Sequence, residues 1–351
     1  MHDMLEGALK FDIGLILKQM IFSFNYFSME TLNNRIESFN YGSLDIRSRP
    51  TMLSYENLRR QGLIKMSASE MLCFTRYLGL IIGDLIPEDS DLWELYKILR
   101  KILDIILCKS VRLPDSVLLK TLISEHHTLY LRLFRSNLKP KHHHMVHYPF
   151  IINKSGPLSL FWSMRFEAKH KELKDTAHAI TSRKNIQYTL SLKHQLKLSY
   201  NFSSSNAHFY TKNMEVGRIL KINELTSQFY NNCDISFVTT NFDFSNDNIA
   251  FISWVKIKNI LFNCNNMCIV VNANEIENML PLFGLIKHIF ITDVNLPFAI
   301  CKLFQTNYFD EHYQAFNVTL KAKYICIFLE QCYQRSHEVH VSGSDLIFIS
   351  L

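Results

Sequence analysis

"QLKLSYNFSSSNA", residues Gln195–Ala207, is where the chain changes its habit. Up to Tyr200 apolar residues recur at three- and four-residue spacing; beyond it serine and asparagine replace the period. Working back from this point, the sequence reads as helix. His2, Leu5, Leu9, Ile13, Ile16 and Met20 form one stripe facing a core. Ser67 and Glu70 in "SASE" make a capping box ahead of "MLCFTRYLGLII". Pro87 and the acids of "PEDSD" open "LWELYKILRKILDIIL", and Pro114 and Asp115 start "SVLLKTLISEHHTLYLRLF". Working forward, "NIAFISWVKI", "MCIVVNA", "LFGLIKHIFIT" and "LPFAICKLFQT" are short, β-branched and aromatic, and bounded by Asn, Pro and Asp. They read as strands. The pattern predicts an α+β chain: a helical region over 1–202, a linker at 203–214, and a β-rich module over 215–351 forming a small sheet or barrel.

At 351 residues and 48% hydrophobic, the chain is long and apolar enough to build cores, which excludes a disordered polypeptide. Its eight cysteines show no CxxC and no dense framework; they read as reduced, buried small hydrophobes of an intracellular protein. Cys264 and Cys268 lack the partner pair that a zinc site needs. "MHDMLEGALKFDIGL" has acids within its apolar run and no basic leader, and "YLGLIIGDLI" is short and broken by Asp84, so neither a signal peptide nor a membrane span is expected. Charge is uneven. Lys139–Lys197 holds eleven Lys/Arg against three acids, a local excess larger than the +6 of the whole chain. A basic segment on a near-neutral body suits phosphate binding, and it also suits an ordinary solvated helix.

Two groups of residues offer chemistry. "KHHHMVHYP" contains His142, His143, His144 and His147, and a metal fits His143 and His147 only if that stretch is helical. Tyr148-Pro149 argues for an extended or ending segment, because a residue before proline avoids the helical region. Pro140, Pro149 and Pro157 thus read as breaks, and packing, phosphate contact or capping as the role of the histidines. "FWSMRFEAKHKELK", Phe161–Lys174, places Glu167, Lys171 and Lys174 on one helix face. Glu167 reads as an i, i+4 partner of Lys171 or as one carboxylate of a two-metal phosphoryl-transfer site. "FDEHYQAF" clusters Asp310, Glu311 and His312 at an expected turn, with aromatics suited to stacking a peptide or a base.

"MHDMLEGALKFDIGLIL", "LKPKHHHMVHYPFIINKSGPLSLFWSMRFEAKHKELK" and "PLFGLIKHIFI…LFQTNYFDEHYQAFNV" resemble, in that order, the rear part of CACTA-type (En/Spm-like) cut-and-paste DNA transposases. The resemblance is strongest over 1–25 and 138–200. It implies a ribonuclease H-like catalytic domain with three acids on two divalent metals and a helical insertion before the last acid. Glu167 matches that last acid, and His2 the histidine of a short Asp-x-x-His motif. Residues 1–140 then look like the insertion, and 215–351 like a C-terminal β-rich module. The aspartate of the motif and both earlier catalytic aspartates have no counterpart in this sequence.

The resulting expectation is a truncated, transposase-derived nuclear protein without strand-transfer activity of its own. No cofactor is expected, with Mg²⁺ or Mn²⁺ entering only if upstream acids are supplied. Non-specific nucleic-acid contacts are expected from Lys139, Lys141, Arg165, Lys169, Lys171, Lys174, Arg183, Lys184, Lys193 and Lys197. The alternatives are a protein-interaction module using the β half, an active nuclease recruiting metal through Glu167, and a genomic remnant without function.

Overall fold

Ser67 illustrates how the helical half is punctuated. Its hydroxyl accepts from the Glu70 amide, and the Glu70 carboxylate accepts from the Ser67 amide at 2.7 Å, the capping box that the sequence announced. In the computed structural model, which describes residues 2–203, 214–220, 250–257, 260–264, 267–271, 280–292, 295–332, 337–341 and 347–349, helices give way to strands along the chain. Nearly all of the expected 203–214 linker, Cys233 and the side chain of Arg165 lie outside the described residues.

A π-helical turn, Met4–Ala8, leads into α1 (Leu9–Phe22). There follow α2 (Met29–Ser38), α3 (Gly42–Asp45), α4 (Tyr55–Gln61), α5 (Ala68–Ile82), α6 (Asp91–Leu107) and α7 (Leu113–Phe134). Then come α8 (Pro140–Met145), α9 (Tyr148–Ser155), α10 (Ser163–Ala179) and α11 (Ile186–Ser203). The strands are β1 (Met214–Val216), β2 (Ala250–Ile252), β3 (Trp254–Ile257), β4 (Ile260–Asn263), β5 (Met267–Val271), β6 (Leu282–Ile291), β7 (Pro297–Asp310), β8 (Ala315–Phe328), β9 (His337–Val341) and β10 (Ile347–Ile349). Two compact units result: Met1–Phe39 with Arg47–Phe209, and Asn40–Ile46 with Tyr210–Leu351. The short α3 segment, expected within the helical half, therefore belongs with the strands.

The first unit is built on apolar faces. Leu9, Ile13, Ile16 and Met20 of α1, and Trp93, Tyr96, Leu99, Ile102 and Leu103 of α6, are all buried. The Tyr96 hydroxyl inserts into the α5 ladder, donating to Thr75 O and accepting from Gly79 N, each at 3.0 Å; burial pushes its phenol up to about 12. Helix α4 ends on Gly62, left-handed at φ 61°, and a Cβ built on Gly14 of α1 would lie 1.8 Å from the Gly62 carbonyl oxygen. Only glycine lets the two backbones approach so closely. The prolines correct the sequence reading. Pro140 and Pro149 stand in the first turns of α8 and α9, where a missing N–H breaks no helical bond.

Among the described residues of the second unit every strand pairing is antiparallel. β6 pairs with β5 and β7, β7 with β8, β8 with β10, β10 with β9, and β9 with β5, so six strands close into a ring. β2 continues that sheet along β6, and β1, β3 and β4 form a second sheet of three. A bulge between Ile286 and His288 resets the alternation, so Ile286, Ile289 and Ile291 share a core cluster while Phe283 and Leu285 join another. The first cluster also takes Val255, Ile257 and Phe262 from the smaller sheet, and Leu44 of α3 packs on it.

Candidate functional site

The opening turn is pinned from below. Met4, Leu5, Gly7 and Ala8 are buried, and the Ala8 amide donates to Asp3 O at 2.8 Å, leaving His2, Asp3 and Glu6 at the surface. Gly7 makes room for α8: a Cβ there would lie 2.2 Å from Lys141 Cδ. The Lys141 ammonium passes over it to donate to the His2 carbonyl at 2.7 Å. His144 Nδ1 lies 3.0 Å from Asp3 Oδ1, a second tie between α8 and the opening turn.

His2 is the hub. Its Nδ1 bonds Glu6, and its Nε2 lies 3.0 Å from Glu167 Oε1 on α10. Both ring nitrogens thus face carboxylates, an arrangement satisfied only by the protonated ring. The Glu6 hydrogen bond raises the His2 pKa; desolvation opposes it and the Glu167 bond adds to it. Glu6 is lowered in return, first by its bond to His2. The expected Lys171 partner is replaced: Glu167 reaches across 165 positions to His2 instead.

Beneath this surface lies a group of residues of which the sequence reading singled out only His142, for packing or capping. Asp12 of α1 is fully buried. His126 Nε2 stands 3.0 Å from its Oδ2, and His142 Nε2 stands 3.0 and 3.1 Å from its two oxygens. Burial drives the carboxyl upward, but the hydrogen bonds from His126 and then His142 outweigh it and hold Asp12 below the usual range. The other nitrogen of His142, Nδ1, accepts from the Lys139 amide at 3.1 Å, which fixes the proton on Nε2 and caps α8 in the same bond. Burial, with His126 and His142 close by, pushes neighbouring His127 down to about 4. One signal for this triad was present in the sequence: Asp12 falls between Leu9 and Ile13 on the apolar side of α1, where an acid needs a buried partner, and "HH" in α7 supplies one.

The basic residues distribute unevenly. Lys169 and Lys197 both bond Glu172, the latter at 2.5 Å, tying α11 to α10; these bonds, Lys169 first, draw the carboxyl down to about 2. Lys139 is exposed and Lys141 is spent on His2. Lys171, Lys174, Arg183, Lys184 and Lys193 are exposed along α10, α11 and their connection. The row Tyr188, Leu192, Leu196 and Tyr200 of α11 is exposed as well.

Among the described residues no group of three or more His, Cys, Asp or Glu side chains is arranged to hold a metal ion. Glu6 and Glu167 each direct an oxygen at His2, and Asp3 directs one at His144. A pair of divalent cations needs several oxygens converging on it, and this set does not supply them. Among the same residues no helix is long and apolar enough to cross a membrane. Comparison with protein-family models, with curated proteins and with solved structures finds no match for this chain.

Proposed function

We propose that this chain is a transposase-derived protein that binds nucleic acid non-specifically through its basic segment and performs no strand transfer alone. The observation that carries the reading is the meeting of His2 and Glu167. The resemblance assigns both to one ribonuclease H-like centre, and they lie 3.0 Å apart although 165 positions separate them. The centre's chemistry requires more carboxylate oxygens than Glu167 supplies, which supports a chain that carries out no strand transfer alone. Binding falls to the exposed cations of α10, α11 and their connection, whose phosphate contacts carry no base readout.

Fluorescence anisotropy with a labelled DNA duplex tests this. Five phosphate contacts, one each from Lys171, Lys174, Arg183, Lys184 and Lys193, imply an affinity loss of about two to three orders of magnitude between 50 and 200 mM salt. Changing all five to glutamine should abolish the salt-dependent term. Absent or salt-insensitive binding would remove the reading. Plasmid nicking by the purified chain with Mg²⁺ or Mn²⁺, abolished by Glu167→Gln, would overturn the inactive half of it.

A further inference from the structure

The function above makes no use of His143 and His147, yet the fold brings them together. His143 lies in α8, and His147 caps α9 with helical backbone angles (φ −85°, ψ −16°). Continuous turns join them: Val146 N donates to His143 O and His147 N to His144 O, each at 3.1 Å. Four residues apart on one winding, both rings are exposed, and their Nε2 atoms stand 3.2 Å apart with the rings nearly perpendicular.

That separation has a chemical meaning. Two imidazole nitrogens bound at about 2.0–2.1 Å to one cation and 3.2 Å from each other subtend roughly 100° at the metal, close to the tetrahedral value. We propose that His143 and His147 form a two-nitrogen chelate for a divalent transition cation of the imidazole-preferring class, Cu²⁺, Ni²⁺ or Zn²⁺. The remaining coordination positions are open to water. Mg²⁺ and Mn²⁺, which favour carboxylate and water oxygens, are poor fits. The site is separate from Glu167, and as a pair it differs from the clusters of three that the described residues lack. Its neighbours His142 and His144 are committed elsewhere, to Asp12 and Asp3. His143 and His147 are thus the two members of the run whose Nε2 atoms face one another at the surface.

The test is calorimetric titration of the full chain with CuCl₂, NiCl₂ and ZnCl₂ in a non-chelating buffer at pH 7.5, with MgCl₂ as control. Copper electron paramagnetic resonance counts the bound nitrogens. The native chain should bind one Cu²⁺ through two imidazole nitrogens, more tightly than Ni²⁺ or Zn²⁺. His143→Ala and His147→Ala should each weaken that site at least tenfold, and His170→Ala should leave it unchanged. Both rings are exposed, so circular dichroism should show the fold retained; His143→Asn and His147→Asn repeat the test with polar side chains. A native chain that takes up no Cu²⁺ at this site would overturn the assignment. So would a His143 or His147 variant that binds as the native chain does, leaving the 3.2 Å contact an imidazole–imidazole hydrogen bond only.

Discussion

Asp12 is the residue on which the first unit depends most sharply. A carboxylate without solvent access is tolerable because two imidazole N–H groups solvate it in place of water. Asp12→Ala leaves two buried donors facing an empty site and should cost about 3–5 kcal/mol, read as a fall in the urea midpoint. Asp12→Asn keeps the volume and one acceptor and should cost less. The folded carboxyl lies below its unfolded value, so its contribution is complete above the unfolded pKa and disappears as pH falls through the lower folded one. His2 behaves in the opposite sense. Its pKa is raised, so the bridge to Glu6 and Glu167 is complete below the ordinary histidine value and loosens as pH rises through the raised one. NMR titration of the His2 ring should show this, with Glu6→Gln lowering its pKa more than Glu167→Gln.

At the scale of elements, Gly14 decides how α1 and the end of α4 meet. Alanine there gains about 1 kcal/mol of helix propensity, but its Cβ would meet a backbone oxygen that cannot swing aside. Gly14→Ala should therefore destabilise by a net 1–3 kcal/mol or so, measured by guanidinium unfolding. Helix α11 carries the opposite problem, an apolar row without cover. Exposed Tyr188, Leu192, Leu196 and Tyr200 should make the protein associate as its concentration rises. Sedimentation velocity should show this, and Leu192→Ser with Leu196→Ser should suppress it. Elements with a local cause were legible in the sequence: the Ser67 box, the Pro114 start of α7, and the turn at Asp310, whose carboxylate accepts from the His312 and Tyr313 amides. The prolines of α8 and α9 were misread because one residue serves both to end a helix and to begin one. What separates the two is where the next turn packs, and spacing does not carry that.

For the whole molecule, the pairing of distant segments was the part that spacing did not announce. Alternation marked several strands, but the ring closes through β5 with β9, segments about seventy positions apart, and β9 and β10 are short. The candidate site shows the same limit. Resemblance pointed separately to His2 and Glu167, whereas Asp12, His126 and His142 emerge only when α1, α7 and α8 are folded together. The second unit also carries an acid sensitivity of its own. Burial depresses His288 and His340 to about 4, so both are neutral in the fold. Their contribution to stability is whole above the unfolded value of 6.5 and is lost as pH falls toward 4, at roughly 1 kcal/mol per pH unit for each. Chemical denaturation at pH 7, 5.5 and 4.5 should record that decline, and His288→Phe should flatten part of it.

Because Asn40–Ile46 lodges with the strands while the chain on either side of it serves the helices, no single cut separates the protein into two self-sufficient pieces. A fragment starting after the helices forfeits Leu44 and uncovers the apolar surface on which that side chain rests. Anyone dissecting this molecule should supply the seven residues in trans, or graft them onto the strand-rich fragment, before interpreting a loss of binding.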